Sequence, residues 1–165
     1  NGAWGCHTRG LPFNVEGFER VLRDHGANAD WIVLPDIVGG GLKSLRMSMS
    51  WVPRLEQFGR QLLLPVQDGM TVEDVRPTLS PQIGIFLGGS TDWKLETMRA
   101  WGELAKERDC LFHVARVNSI KRITLCRDAG ADSFDGSSPT RFRKTLRKLD
   151  LARRQGHLFP GRSGA

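Results

Sequence analysis

Several features that define other classes of protein are missing from this sequence of 165 residues. No apolar run approaches the roughly 20 residues that a membrane-spanning helix needs, which argues against a membrane protein. Only three cysteines occur, at positions 6, 110 and 126. Three widely separated cysteines argue against a disulfide framework and suit a reducing compartment, so we expect a cytoplasmic protein.

Patterns that hold metal ions or phosphate are also scarce. The sequence has no Cys-x-x-Cys pair and no two histidines at metal-ligand spacing, so we expect no metal cofactor. Residues 88–91 read Gly-Gly-Ser-Thr ahead of a helical pattern, which is a weak phosphate-binding pattern. It matches neither the Walker A motif nor the dinucleotide-binding fingerprint.

Positive charge is in excess, with a formal net charge of +6 at pH 7. A basic balance favours a polyanionic partner such as nucleic acid. The simpler interpretation, a solvated basic surface with no partner, remains open on charge alone.

Short apolar runs alternate with amphipathic helical patterns along the chain. The runs of strand length occupy residues 31–34, 62–66, 83–87, 111–114 and 133–134. Helical spacing of apolar residues occupies 15–25, 42–58, 92–108, 119–129 and a basic segment at 139–154. Such alternation indicates parallel strands joined by crossover helices.

This arrangement suits either a (β/α)₈ TIM barrel or a doubly wound sheet, and we predict a TIM barrel. A complete barrel takes about 250 residues. The five visible strands, with a sixth expected just before residue 1, would form about six of the eight. Residues 1–154 would then be the C-terminal three-quarters of a barrel that lacks its N-terminal strands, and 155–165 a flexible tail.

Functional groups of such a barrel lie at the carboxyl ends of its strands. The polar and glycine residues that follow the apolar runs are Asp36, Gln67, Gly88, Gly89, Arg116 and Asp135. Simpler interpretations exist: Asp36 as a helix cap, the glycine pair as a tight turn, and Arg116 as a surface ion-pair partner. We expect His113 to be a satisfied buried histidine rather than a ligand.

Five segments stand in order along the chain: residues 44–51 (Ser-Leu-Arg-Met-Ser-Met-Ser-Trp), 66–69 (Val-Gln-Asp-Gly), 87–89 (Leu-Gly-Gly), 113–117 (His-Val-Ala-Arg-Val) and 132–141 (Asp-Ser-Phe-Asp-Gly-Ser-Ser-Pro-Thr-Arg). Together they resemble the tRNA-guanine transglycosylase superfamily. Residues 88–94 and 116–119 are more similar to the phage and bacterial relatives linked to 7-deazaguanine in DNA. The chain departs from the family at Gly136, where the family has cysteine, and by having no C-terminal zinc module. The family's acid/base aspartate would directly precede Asn1.

The resemblance implies a TIM-barrel glycosyltransferase that exchanges guanine for a 7-deazaguanine base, such as a queuosine precursor, in DNA or tRNA. Asp135 would be the nucleophile, and Asp36 would accept hydrogen bonds from N1–H and the N2 amino group of guanine. Gln67 and the backbone of Gly88 or Gly89 would donate to O6. The residues expected to contact the nucleic-acid backbone are Arg116, Arg141, Arg143, Lys144, Arg147 and Lys148. An N-glycosidase that uses water and a non-catalytic barrel that binds nucleic acid remain alternatives.

Overall fold

The computed structural model describes residues 2–136, so the predicted basic helix at 139–154 and tail at 155–165 lie outside the described residues. The helices are α1 (Ala3–His7), α2 (Val15–His25), α3 (Leu42–Leu55), α4 (Val72–Val75), α5 (Thr91–Glu107) and α6 (Ile120–Asp128). The strands are β1 (Trp31–Val33), β2 (Gln61–Val66), β3 (Ile83–Leu87), β4 (Phe112–Val114) and β5 (Ser133–Phe134). Strands thus form at all five apolar runs, whereas the short helices α1 and α4 had no counterpart in the sequence prediction.

The five strands form one sheet in the order β1-β2-β3-β4-β5, and every neighbouring pair is parallel. Each crossover between successive neighbours advances in the same direction, and right-handed crossovers therefore place their helices on one face of the sheet. Helix α3 packs on β2, and α5 packs on β3. The carboxyl ends of all five strands consequently meet at one edge.

The prediction of a TIM barrel is wrong. Within residues 2–136 the sheet is open and resembles half of a barrel, with β1 and β5 as its two edges. A closed barrel requires every strand to pair on both sides, and five strands at this spacing do not bring the edges together. The alternation of strand and helix in the sequence is common to open and closed parallel sheets, so it identified the layers but not the closure.

Side-chain alternation divides the strand residues between two environments. In β2 and β3, Leu62, Leu64, Ile83 and Ile85 belong to the main apolar core beneath the helices. Their neighbours point to the opposite, concave face, because successive side chains of a strand alternate. One of those neighbours, Gly84, has no room for a side chain: a Cβ would lie 2.3 Å from the carbonyl oxygen of Leu111.

Local signals account for several helix starts. The side chain of Asn14 accepts the N–H of Gly17 at the start of α2, and Ser119 accepts the N–H of Arg122 at the start of α6, as capping residues do. Ser90 precedes α5, but its side chain does not cap that helix. No helix in the described part of the chain is long and apolar enough to cross a membrane.

Candidate functional site

A cavity of about 640 Å³ opens at the carboxyl edge of the sheet, on the concave face. Six of its lining residues are those that the sequence placed after strands: Asp36, Gln67, Gly88, Gly89, Arg116 and Asp135. The structure therefore brings together every predicted site residue that lies within residues 2–136. The other predicted backbone contacts, at positions 141, 143, 144, 147 and 148, lie outside the described residues.

Flat aromatic groups form the cavity walls. Trp31 of β1 and Phe86 of β3 line it, and both rings also pack against the buried imidazole of His113. Trp4 of α1 also lines the cavity and is 54% exposed. Such walls suit a planar, largely apolar ligand with polar groups on its edge, because they offer stacking surfaces and few hydrogen-bond partners.

Asp135 follows β5 and presents its carboxylate to the cavity with the side chain 53% exposed. Oδ2 lies 3.3 Å from Nε2 of His113, and Oδ1 accepts the backbone N–H of Arg116 at 2.8 Å. The hydrogen bond from His113 is the main cause that holds the pKa of Asp135 below its ordinary value; the Arg116 N–H adds to it against partial burial. The carboxylate is therefore ionised at neutral pH and has an open approach.

The turn after β4 is held by two basic side chains. Arg116 has a φ of 58°, an uncommon left-handed conformation for a residue other than glycine. Its guanidinium donates to the carbonyl of Gly89 and lies 5.0 Å from the ring centroid of Trp4. Lys94 of α5 is 3% exposed and donates to the carbonyl of Ala115. These contacts fix the turn whose N–H binds Asp135.

The loop after β1 carries Asp36 and is fixed from beneath by two buried serines. Ser48 donates to the carbonyl of Pro35 at 2.7 Å, and Ser44 accepts the N–H of Ile37 at 3.0 Å. The two serines stand four residues apart on α3, so they lie on one face of the helix. They hold the residues on either side of Asp36. This support by Ser44 and Ser48 was not predicted from the sequence.

Gln67 lines the cavity as predicted, but its side-chain amide is bound by the protein backbone. Its amide is 95% buried and spans the loop after β1: Oε1 accepts the N–H of Gly39 at 2.6 Å, and Nε2 donates to the carbonyl of Ile37 at 2.9 Å. Both ends of the amide are thus occupied by the backbone. Gln67 thus supports the Asp36 loop through Ile37 and Gly39.

The glycine pair also serves the protein backbone. The N–H of Gly88 donates to the carbonyl of Val66 at 2.9 Å, which continues the sheet ladder. Gly89 has a φ of 71°, and a Cβ there would lie 2.7 Å from Asp68 Oδ2 and from the ring of Trp93. Glycine is therefore required at position 89 by conformation and by space.

A carboxylate occupies the start of α5, where the weak phosphate-binding pattern would place an anion. Asp68 accepts the N–H of Ser90 with Oδ2 and its hydroxyl with Oδ1, both at 2.6 Å. Burial acts to raise the pKa of Asp68, but the hydrogen bonds from Ser90, together with a backbone hydrogen bond and the charge of Arg116, keep the pKa below its ordinary value. The negative charge of Asp68 at the helix N-terminus argues against phosphate binding there.

A second cleft of about 740 Å³ lies at the opposite edge of the sheet, near the amino ends of β2 and β4. Its lining mixes charges of both signs, such as Arg99, Glu103, Arg127 and Asp128, and includes none of the predicted site residues. Within residues 2–136 no cluster of three or more His, Cys, Asp or Glu side chains is arranged to hold a metal ion.

The chain matches no protein-family model, and no curated protein matches it. The site is therefore defined by its own geometry: an aromatic cavity at the carboxyl edge of an open parallel sheet, with an ionised carboxylate on a rigid support.

Proposed function

We propose that this chain is a nucleobase transglycosylase that exchanges guanine for a 7-deazaguanine base in DNA or tRNA, with Asp135 as the nucleophile. The observation that carries the proposal is the ionised, half-exposed carboxylate of Asp135 at the wall of an aromatic cavity. The ordered resemblance to the transglycosylase superfamily supports the same assignment.

The reaction breaks and re-forms one glycosidic bond. A carboxylate oxygen of Asp135 attacks C1′ of the nucleotide, and the electron pair of the C1′–N9 bond leaves with guanine, which takes up a proton. The incoming 7-deazaguanine base gives up a proton at N9, attacks C1′ and releases the carboxylate. Protons and electrons balance, and a covalent sugar–enzyme ester divides one difficult displacement into two easier ones.

Recognition of the base follows from the cavity lining. The carboxylate of Asp36 accepts from the N1–H and N2 amino donors of guanine, and Gln67 keeps the Asp36 loop in place through Ile37 and Gly39. The rings of Trp31 and Phe86 offer faces for the base. A base in a duplex must leave the stack to enter such a cavity.

Contact with nucleic acid is supported by the net charge of +6, because phosphates are neutralised by lysine and arginine. Arg116 is exposed at the cavity rim and is positioned to meet a phosphate. The basic residues 141, 143, 144, 147 and 148 extend the proposed contact along the chain. Three unpaired cysteines fit a cytoplasmic location for this activity.

The experiment is incorporation of a radiolabelled 7-deazaguanine base into DNA and, separately, into tRNA. The wild-type chain should transfer label into one polymer, and Asp135→Asn should reduce the rate by at least about a thousandfold. Asp128→Asn is the matched control, since this exposed aspartate pairs with Arg127 away from the cavity. Full transfer by Asp135→Asn would refute Asp135 as nucleophile.

Hydrolysis is the second candidate, because the 53% exposure of the Asp135 side chain lets water reach the same position. An N-glycosidase would release free guanine without incorporating label. A non-catalytic nucleic-acid-binding protein would do neither, and would bind polymer equally well with Asp135→Asn.

A further inference from the structure

The imidazole of His113 is held in one orientation by the groups around it. His113 is 2% exposed, and its ring stacks on Phe86 with centroids 5.1 Å apart and an interplanar angle of 11°. On another side Trp31 lies 5.0 Å away at 52°. These contacts fix the plane of the ring, so the ring nitrogens point in defined directions within that plane.

Nδ1 meets a side chain of β5, and Nε2 meets the side chain of the residue that follows β5. Nδ1 lies 2.8 Å from the hydroxyl of Ser133, and Nε2 lies 3.3 Å from Oδ2 of Asp135. Ser133 and Asp135 are two residues apart, so they project from the same face of the strand. One imidazole on β4 thus joins the proposed nucleophile to a hydroxyl that lies deeper in the sheet.

The chemistry of the three groups decides where the proton lies. An ionised carboxylate only accepts hydrogen bonds, so the Asp135 contact requires a proton on Nε2. In the neutral ring Nδ1 is then an acceptor, and the hydroxyl of Ser133 is the group that donates to it. The contact with Asp135 therefore sets the tautomer in which His113 donates through Nε2, and the hydroxyl of Ser133 complements it by donating to Nδ1.

We propose that His113 is a positioning residue for Asp135, and that Ser133 holds the imidazole in the orientation on which this depends. The inference rests on the function proposed above. Oδ1 is held by the N–H of Arg116 and Oδ2 by His113, so the two donors together stop the carboxylate from rotating. A fixed carboxylate meets C1′ in a productive geometry, which affects the chemical step rather than substrate binding.

The first test is the nitrogen-15 NMR spectrum of the histidine rings in the full chain, which has four histidines. His113→Gln assigns the His113 signals by their loss. We expect Nε2 to carry a proton in the wild-type protein and in Ser133→Thr, which keeps the hydroxyl. Asp135→Ala, which removes the acceptor while the Ser133 hydroxyl can still donate to Nδ1 or accept from it, should give a mixture of tautomers. An unprotonated Nε2 in the wild-type protein, or an unchanged tautomer in Asp135→Ala, would overturn the proposal.

The second test separates positioning from packing by steady-state kinetics of base exchange. His113→Phe keeps an aromatic ring between Trp31 and Phe86 but removes the donor, and it should lower kcat by about 10- to 100-fold with KM within about twofold. His113→Gln retains an N–H donor and should recover part of that loss. A kcat for His113→Phe within twofold of wild type would overturn the positioning role.

The two tests also separate this inference from the proposed function. If the wild-type chain exchanges no base, the proposed function fails, whereas the ring tautomer still supports or overturns the link among Ser133, His113 and Asp135. If exchange occurs and the tautomer is the opposite one, only the positioning role fails.

Discussion

Lys94 gives the sharpest physical prediction, because it is a lysine with only 3% of its surface exposed. Burial, with the nearby charge of Arg116 as the next cause, lowers its pKa from 10.5 to about 8. Between these two values the unfolded chain binds more protons than the folded one, so stability rises with pH across this window. The lowered pKa of Lys94 corresponds to about 3 kcal/mol of destabilisation of the folded state below pH 8. Roughly 1.4 kcal/mol of this destabilisation is lost between pH 7 and pH 9.

The assay is the free energy of unfolding in urea at pH 7 and pH 9 for wild type and Lys94→Met. Methionine keeps much of the length of the side chain without the charge. Lys94→Met also loses the hydrogen bond to Ala115, but it loses that bond at both pH values. The stability of Lys94→Met relative to wild type should therefore fall by about 1–1.5 kcal/mol from pH 7 to pH 9.

A matched control comes from the same helix, where Lys106 is exposed; Lys106→Met reports what loss of a lysine charge on α5 does without burial. A stability of Lys94→Met relative to wild type that is unchanged, or that increases, from pH 7 to pH 9 would show that Lys94 is not a buried charge in solution.

Two glycines provide further predictions. Gly102→Ala would place a Cβ 1.9 Å from the carbonyl oxygen of Ala129. We expect it to lower the free energy of unfolding by about 1–3 kcal/mol, measured as a lower melting temperature. Gly5→Ala is the control and should not destabilise the protein, because Gly5 also lies in a helix but the nearest atom to its Cβ would be 3.9 Å away. Gly89→Ala adds contact with Asp68 and Trp93 to the strain of a positive φ, so it should be more destabilising than Gly10→Ala, which has the strain with nothing within 4 Å. Equal stabilities for Gly89→Ala and Gly10→Ala would contradict the close packing at the cavity edge.

The strands could be predicted from the sequence because buried parallel strands are short apolar runs bounded by turn residues. Strands β3 and β5 have the bounds that the sequence indicated. The closure of the sheet could not be predicted. It depends on whether the edge strands β1 and β5 pair with a further strand, and no sequence pattern in these two strands indicates such pairing. Helix α1 was missed because its five residues are too few to show a helical period.

In the candidate site, local sequence patterns predicted some residues but not the long-range contacts that support them. The positions of Asp36 and Asp135 followed from strand ends, and the structure places both on one cavity. The supporting bonds of Ser44, Ser48 and Lys94 join residues that are 7 to 21 positions apart, so no local pattern marks them.

Glycine at position 136 has a physical reason in this chain. A Cβ on Gly136 would lie 2.2 Å from the carbonyl oxygen of Val117. The chain passes so close to the turn after β4 that only glycine fits there. The sequence comparison showed only that cysteine is absent at position 136. The structure shows that the backbone at Gly136 lies close to the carbonyl of Val117, beside Asp135.

The proposed mechanism requires Asp135 to form a covalent bond to C1′ of the sugar. This bond can be detected in the intact mass of the protein after acid quenching of a reaction with a guanine-containing oligonucleotide and no incoming base. We expect a covalent adduct of the oligonucleotide minus guanine on the wild-type chain and none on Asp135→Asn. No adduct on the wild-type chain while base exchange proceeds, or an equal adduct on Asp135→Asn, would contradict this mechanism.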